Sequence, residues 1–274
     1  MLVIKNKDEL NTLRECGKRL AKILENVVHT ARHGVTTEEL DRLAESLILS
    51  EGGEPIFKGY KVSGARRPYP GSLCVSINDE IVHGIPSDQR TICEGDVVGL
   101  DIGMRWPGKK FRIQNSEFRN TEGLVTDMAV TIGVGKISQK AEKLIRATKE
   151  SLDIAILMLK PGVKLGDFGY AIQKRLEKNG LGVIRDLAGH GVGKELHEDP
   201  MIPNYGKKGT GPKLVEGQVV AVEPMASLGG WNIKTDDDGW TIRMADGSLA
   251  AHFEHTVVIT KESAEVLTRL ENQA

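Results

Sequence analysis

Cysteine is scarce in this chain: Cys16, Cys74 and Cys93 are odd in number and show no C-x-x-C spacing. That disfavours a disulfide framework or a structural zinc knot and points to a reducing compartment. No apolar run approaches membrane-spanning length, and the opening MLVIKNKDEL reaches charged residues too early for a signal peptide. A cytoplasmic protein without a membrane partner is expected. Net charge is nearly absent, since 37 basic side chains face 38 acidic ones. A broad polyanion-binding face is therefore disfavoured, although a local basic patch is not. No Ser/Gly/Pro-rich linker and no low-complexity tract divides the 274 residues, which read as one domain.

What is present has a periodic grammar. Between residues 8 and 33, Leu13, Cys16, Leu20, Ile23, Leu24, Val27 and Val28 fall at helical spacing, and Gly34 stops the run. Thr36-Thr37-Glu38-Glu39 then caps a second helix reaching about Glu51, closed by Gly52-Gly53. The same order returns at 138–160 and 164–178, with Pro161-Gly162 between them. Superposing Gly34-Val35 on Gly162-Val163 gives an offset of 128 residues, close to half the chain. Each helix pair precedes short β-rich segments: Leu73–Ile77, Val97–Ile102 and Leu124–Val134, then Gln218–Val222 and Phe253–Ile259. A duplicated α+β fold is expected, with halves at about 8–135 and 136–262.

Acidic residues fall where burial makes them expensive. Asp101 ends VVGLD, Asp127 interrupts LVTDMAVTI, Glu223 interrupts VVAVEPM and Glu254 sits in AAHFEHTVVI. Burying one unpaired ion costs on the order of 20 kcal/mol in the idealised limit, and several kcal/mol after relaxation. One such acid is ordinarily a hydrogen-bonded structural residue. Four are harder to explain so. They form pairs separated by 26 and 31 residues, and the second pair answers the first at offsets of 122 and 127. Four carboxylates are neutralised by two divalent cations, and mainly oxygen donors favour Fe, Mn or Co, with Zn possible.

Histidines complete the pattern. GHGVG leads into His197-Glu198-Asp199-Pro200, and it matches neither G-x-G-x-x-G nor the P-loop spacing. Glycines around His190 let backbone and a metal approach closely, and His83 lies at a strand-end turn before Gly84 and Pro86.

Taken in order, SINDEIVHGIP, the Asp of GLDIG, the Asp of TDMAVT, GHGVGKELHEDP, AVEPM and FEHTVVIT resemble methionine aminopeptidases of the short, bacterial-like type I. The resemblance spans roughly residues 4–262. It implies a single catalytic domain over 1–274 with the pita-bread fold, two pseudo-two-fold α/β halves around a central antiparallel sheet. It implies Asp101, Asp127, His190, Glu223 and Glu254 as ligands of two divalent metal ions. His83 and His197 would handle the scissile peptide, and Glu223 would also move protons. Tyr69, Cys74, Met225 and Trp240 would line the methionine pocket, a role that rests on the resemblance alone. The implied reaction removes an N-terminal methionine from nascent chains when the second residue is small, a dimetal-bridged hydroxide attacking the scissile carbonyl.

The alternative is a same-fold aminopeptidase of other specificity, such as Xaa-Pro. Those enzymes usually carry a large N-terminal domain, whereas here the first helix begins by residue 8. Fold relatives kept as binding modules generally lose ligands, and all five are retained. Two departures bear on the pocket: Leu196 stands where an aromatic is usual, and residues 62–68, VSGARRP, lack an aromatic and a cysteine. A third lies in the long stretch 103–126, read as an extended hairpin carrying Arg105, Lys109, Lys110, Arg112 and Arg119. Solvated charge is its ordinary reading, and contact with ribosomal RNA is the sharper one. The chain is expected to act as a monomer.

Overall fold

The structure, a computed structural model, describes residues 3–4, 6–62, 66–114 and 121–269. Helices α1 (Lys7–Thr30) and α2 (Thr37–Ser50) lead into β1 (Glu54–Pro55), β2 (Leu73–Ile77), β3 (Glu80–Val82), β4 (Val97–Trp106), α3 (Lys109–Gln114) and β5 (Leu124–Gly133). A second pair, α4 (Gln139–Met158) and α5 (Leu165–Lys178), precedes β6 (Gly182–Val183), β7 (Ala188–Gly191), β8 (Glu198–Pro203), β9 (Val219–Val222) and β10 (Met225–Ser227). The chain closes with β11 (Ile233–Thr235), β12 (Ile242–Met244), β13 (Ala250–His252), β14 (Glu254–Ile259) and β15 (Ala264–Val266). No helix is long and apolar enough to cross a membrane among the described residues.

The helix starts follow local chemistry. The Asn6 side chain accepts from Glu9 N–H at the head of α1, and Ser138 caps α4 through Ala141 N–H. Thr36 and Glu39 form a reciprocal capping box at α2, as the Thr-Thr-Glu-Glu run predicts.

A nine-stranded antiparallel sheet runs β1-β4-β5-β14-β9-β7-β8, with β2 also paired to β4 and β15 to β14. Alternation along its strands separates two environments. On one face Val98, Leu100, Ile102, Met104 and Met128 pack against Leu20, Leu24 and Val27 of α1. Val220, Val222 and Val257 likewise meet Leu152, Phe168 and Ile172 of α4 and α5. The alternate residues of those strands point the other way. A side chain of opposite character is therefore tolerated at every second position, provided the opposite face offers a partner.

Two expectations need adjusting. The strand expected over Val97–Ile102 runs on to Trp106 in unbroken register with β5, which leaves Asp101 in mid-strand. The excursion between β4 and β5 is not a plain hairpin, since the short helix α3 follows Trp106. Its charge is also partly absorbed by backbone carbonyls: Arg105 donates to Gly123 and Lys194, and Arg112 to Thr121. Lys109 and Lys110 are exposed, and Arg119 lies outside the described residues.

Candidate active site

Register brings the acids together. Ala129 of β5 is paired on one side with Asp101 and on the other with Glu254. Asp127, two residues along β5, shares that face by strand periodicity. His190 of β7 pairs with Ala221 of β9, which is also the partner of Thr256 in β14. Counting in steps of two puts His190, Glu223 and Glu254 on the same face as Asp101 and Asp127. Glu223 is not inside a strand as its apolar run suggests, because β9 stops at Val222. Asn204 donates to the Glu223 carbonyl at 2.9 Å and fixes the chain there.

All five side chains line one cavity. Ligand-capable atoms of Asp127, His190 and Glu254 lie within 4.8 Å of one another. His190 Nε2 stands 3.9 Å from Asp127 Oδ2 and 3.6 Å from Glu223 Oε1. The other ring nitrogen, Nδ1, lies 3.0 Å from the Gly191 carbonyl. A proton on Nδ1 satisfies that carbonyl and leaves the Nε2 lone pair aimed at the carboxylates, the tautomer a metal-binding imidazole needs.

The electrostatics carry the same message. Among the described residues, the buried atoms Asp101 Oδ1, Asp127 Oδ1 and Glu254 Oε1 have no hydrogen-bond partner. Burial, reinforced by Glu223 and opposed by His252, pushes the Asp101 carboxyl up to about 7. Burial and the neighbouring acids raise Asp127 and Glu254 well above the ordinary carboxylate range. Carboxylates so crowded either keep protons or gather around positive charge. The donor set, four carboxylates and one imidazole with orphaned oxygens, fits divalent cations.

His83, His197 and the four residues expected to line a methionine pocket, Tyr69, Cys74, Met225 and Trp240, line the same cavity. His83 follows β3 with φ of 60°, in the left-handed region. Gly84 beside it admits no side chain, because a Cβ would meet the Val75 carbonyl oxygen at 2.2 Å. Burial pushes the His83 imidazole down to about 4. His197 stands at the rim with part of its ring open to solvent, while the cavity wall and His190 lower its pKa. The Tyr69 and Trp240 rings meet edge to face at 5.3 Å, and Trp240 Nε1–H donates to the Arg67 carbonyl. Leu196 is buried and supplies an aliphatic wall where an aromatic is usual.

Tyr60 and His252 are among the cavity residues that escaped the sequence reading. Tyr60 places its hydroxyl 2.6 Å from His197 Nδ1. It lies 137 residues away in sequence, so no local signal ties it to the site. His252 lies 3.4 Å from Glu223 Oε2. Its signal was available, a second histidine beside FEHT, but a lone histidine in an apolar strand is usually structural.

Comparison with known proteins agrees with this geometry. The profile of metallopeptidase family M24 matches residues 11–261. The methionine aminopeptidase of Clostridium acetobutylicum is 44% identical over 271 residues, which cover 99% of this chain and 100% of that protein. The crystal structure of methionine aminopeptidase from Thermotoga maritima superposes with a TM-score of 0.88 at 40% identity, covering 98% of this chain and 100% of that one. The prolidase from Pyrococcus furiosus shares the fold at a TM-score of 0.70 and 23% identity, and this chain covers 66% of it. The pita-bread fold and full-length similarity place the chain in metallopeptidase family M24, among the methionine aminopeptidases.

Proposed function

We propose that this protein removes the N-terminal methionine from nascent chains whose second residue is small, acting as a cytoplasmic monomer with two divalent metal ions. The observation that carries the reading is the convergence of Asp101, Asp127, His190, Glu223 and Glu254 on one sheet face, with buried carboxylate oxygens that have no hydrogen-bond partner among the described residues. Four acidic charges match two dications, and Fe, Mn or Co suit a set dominated by oxygen donors, with Zn possible. When bound, such ions supply Lewis-acid activation of a water nucleophile and of the scissile carbonyl.

The chain's own groups would do the rest. Glu223, directly after β9, accepts the proton of the attacking water and passes it towards the leaving amine. Neutral His83 faces the scissile amide without adding positive charge beside the ions. Tyr60 donates its O–H to His197 Nδ1, which leaves the imidazole proton on Nε2 for the developing oxyanion. Tyr69, Cys74, Met225 and Trp240 form buried walls suited to an unbranched thioether. The halves 8–135 and 136–262 are proposed to be duplicated units, each opened by a helix pair.

A panel of Met-Ala, Met-Pro, Ala-Pro and Leu-Ala peptides, assayed with each metal titrated, tests the reading. Cleavage of the Met-initiated peptides alone is expected. Preference for Ala-Pro would transfer the protein to the Xaa-Pro specificity. Contact with ribosomal RNA is a separate proposal that rests on exposed Lys109 and Lys110. Deleting the excursion should weaken ribosome binding at low salt, and unchanged binding would retire it.

A further inference from the structure

We infer that His252 is a positioning residue for Glu223, holding the carboxylate by its second oxygen. This rests on the peptidase reading above and extends it to a residue outside the proposed ligand set. His252 ends β13 in a separate three-stranded sheet, β13-β10-β6, yet its ring enters the cavity. The Thr131 hydroxyl fixes its backbone on both sides, accepting from His252 N–H at 2.9 Å and donating to its carbonyl at 2.7 Å. The ring is thus delivered from a pinned backbone.

Among the described residues its buried Nε2 has no hydrogen-bond partner, and it stands 3.4 Å from Glu223 Oε2 and 4.0 Å from Glu254 Oε2. A buried donor left unpaired forfeits its hydrogen bond to water without replacement, so a ring aimed this way demands a reason. Glu223 supplies one. Its two oxygens face two imidazoles, Oε1 towards His190 Nε2 at 3.6 Å and Oε2 towards His252 Nε2 at 3.4 Å. The two rings are not equivalent. His190 Nδ1 lies 3.0 Å from the Gly191 carbonyl, so the proton sits there and Nε2 offers its lone pair to an ion. His252 Nε2, buried beside Glu223 Oε2, is assigned the proton and offers an Nε2–H to the carboxylate. A small turn of the ring or carboxylate across the 3.4 Å separation aligns that hydrogen bond, fixes the carboxylate plane and keeps Oε1 turned towards His190.

His252→Leu and His252→Gln, each in the full chain, test this. Leucine removes the donor, and glutamine restores an N–H that reaches the same oxygen but ligates ions poorly. Turnover of a Met-Ala-Ser peptide and Mn(II) affinity by calorimetry are read together, with thermal melting of the metal-free proteins as the check on folding. H252L should lose about 10–100-fold in kcat, with KM within about twofold and Mn(II) affinity weakened about tenfold. H252Q should recover most of both. H252L indistinguishable from wild type overturns the inference. So does H252Q losing Mn(II) as fully as H252L, because the imidazole is then itself a ligand. Wild-type protein that binds no Mn(II) would overturn the underlying peptidase reading instead.

Discussion

Removing divalent cations should make this protein less stable as pH rises, against the usual behaviour of a chain whose acids are paired. The Asp101 carboxyl holds its proton to about 7 in the folded state against an ordinary 3.8. At 1.36 kcal/mol per tenfold, ionising it in the folded, metal-free protein costs about 4 kcal/mol. Between pH 3.8 and about 7 the folded state binds more protons than the unfolded chain, so stability falls with rising pH. The contribution is intact below 3.8 and lost once pH passes about 7. Asp127 and Glu254, raised in the same direction, deepen the loss. Urea denaturation of chelator-treated protein from about pH 4 to 8, beside Asp101→Asn, is the assay. Because the acids titrate as a cluster, the asparagine removes one step and should flatten the slope. Its stability relative to wild type should gain about 4 kcal/mol across the window. Mn(II) should restore wild type increasingly at higher pH, since binding expels the protons. Metal-free stability that is flat or rises over this range, or an asparagine variant with the wild-type slope, refutes the reasoning.

Other consequences are direct. Glu254→Ala should abolish binding of the second equivalent of metal and reduce turnover on the order of 10²-fold or more, checked by elemental analysis and peptide assay. Tyr60→Phe should lower kcat about tenfold with little change in KM, and nitrogen NMR of His197 should report mixed tautomers where wild type holds one. Gly84→Ala should destabilise by about 1–3 kcal/mol in thermal melts, because the new methyl group meets the Val75 carbonyl and pushes the turn that carries His83.

Much of this was written in the chain as local pattern. The spacing of Leu13, Leu20, Leu24 and Val27 predicts α1, and Thr36 with Glu39 predicts where α2 begins, because caps and amphipathic periods are settled by neighbouring residues. Strand β2 falls at Leu73–Ile77 as expected for a β-rich run bounded by turn residues. The anomaly of acids in apolar runs was equally visible, since burial penalises them wherever the strand lies. Tertiary structure alone decided what those acids face. Pairing of Ala129 with both Asp101 and Glu254 puts them on one side, and a slip of one residue would have sent either into the helices. Tyr60 and His252 reach the site through contacts between distant segments, which no local period encodes. Arg105, read as hairpin charge, instead holds the Lys194 carbonyl in the loop before His197. Sequence determines character and period over a few residues; register and long-range closure, set by the whole fold, determine which of those residues meet.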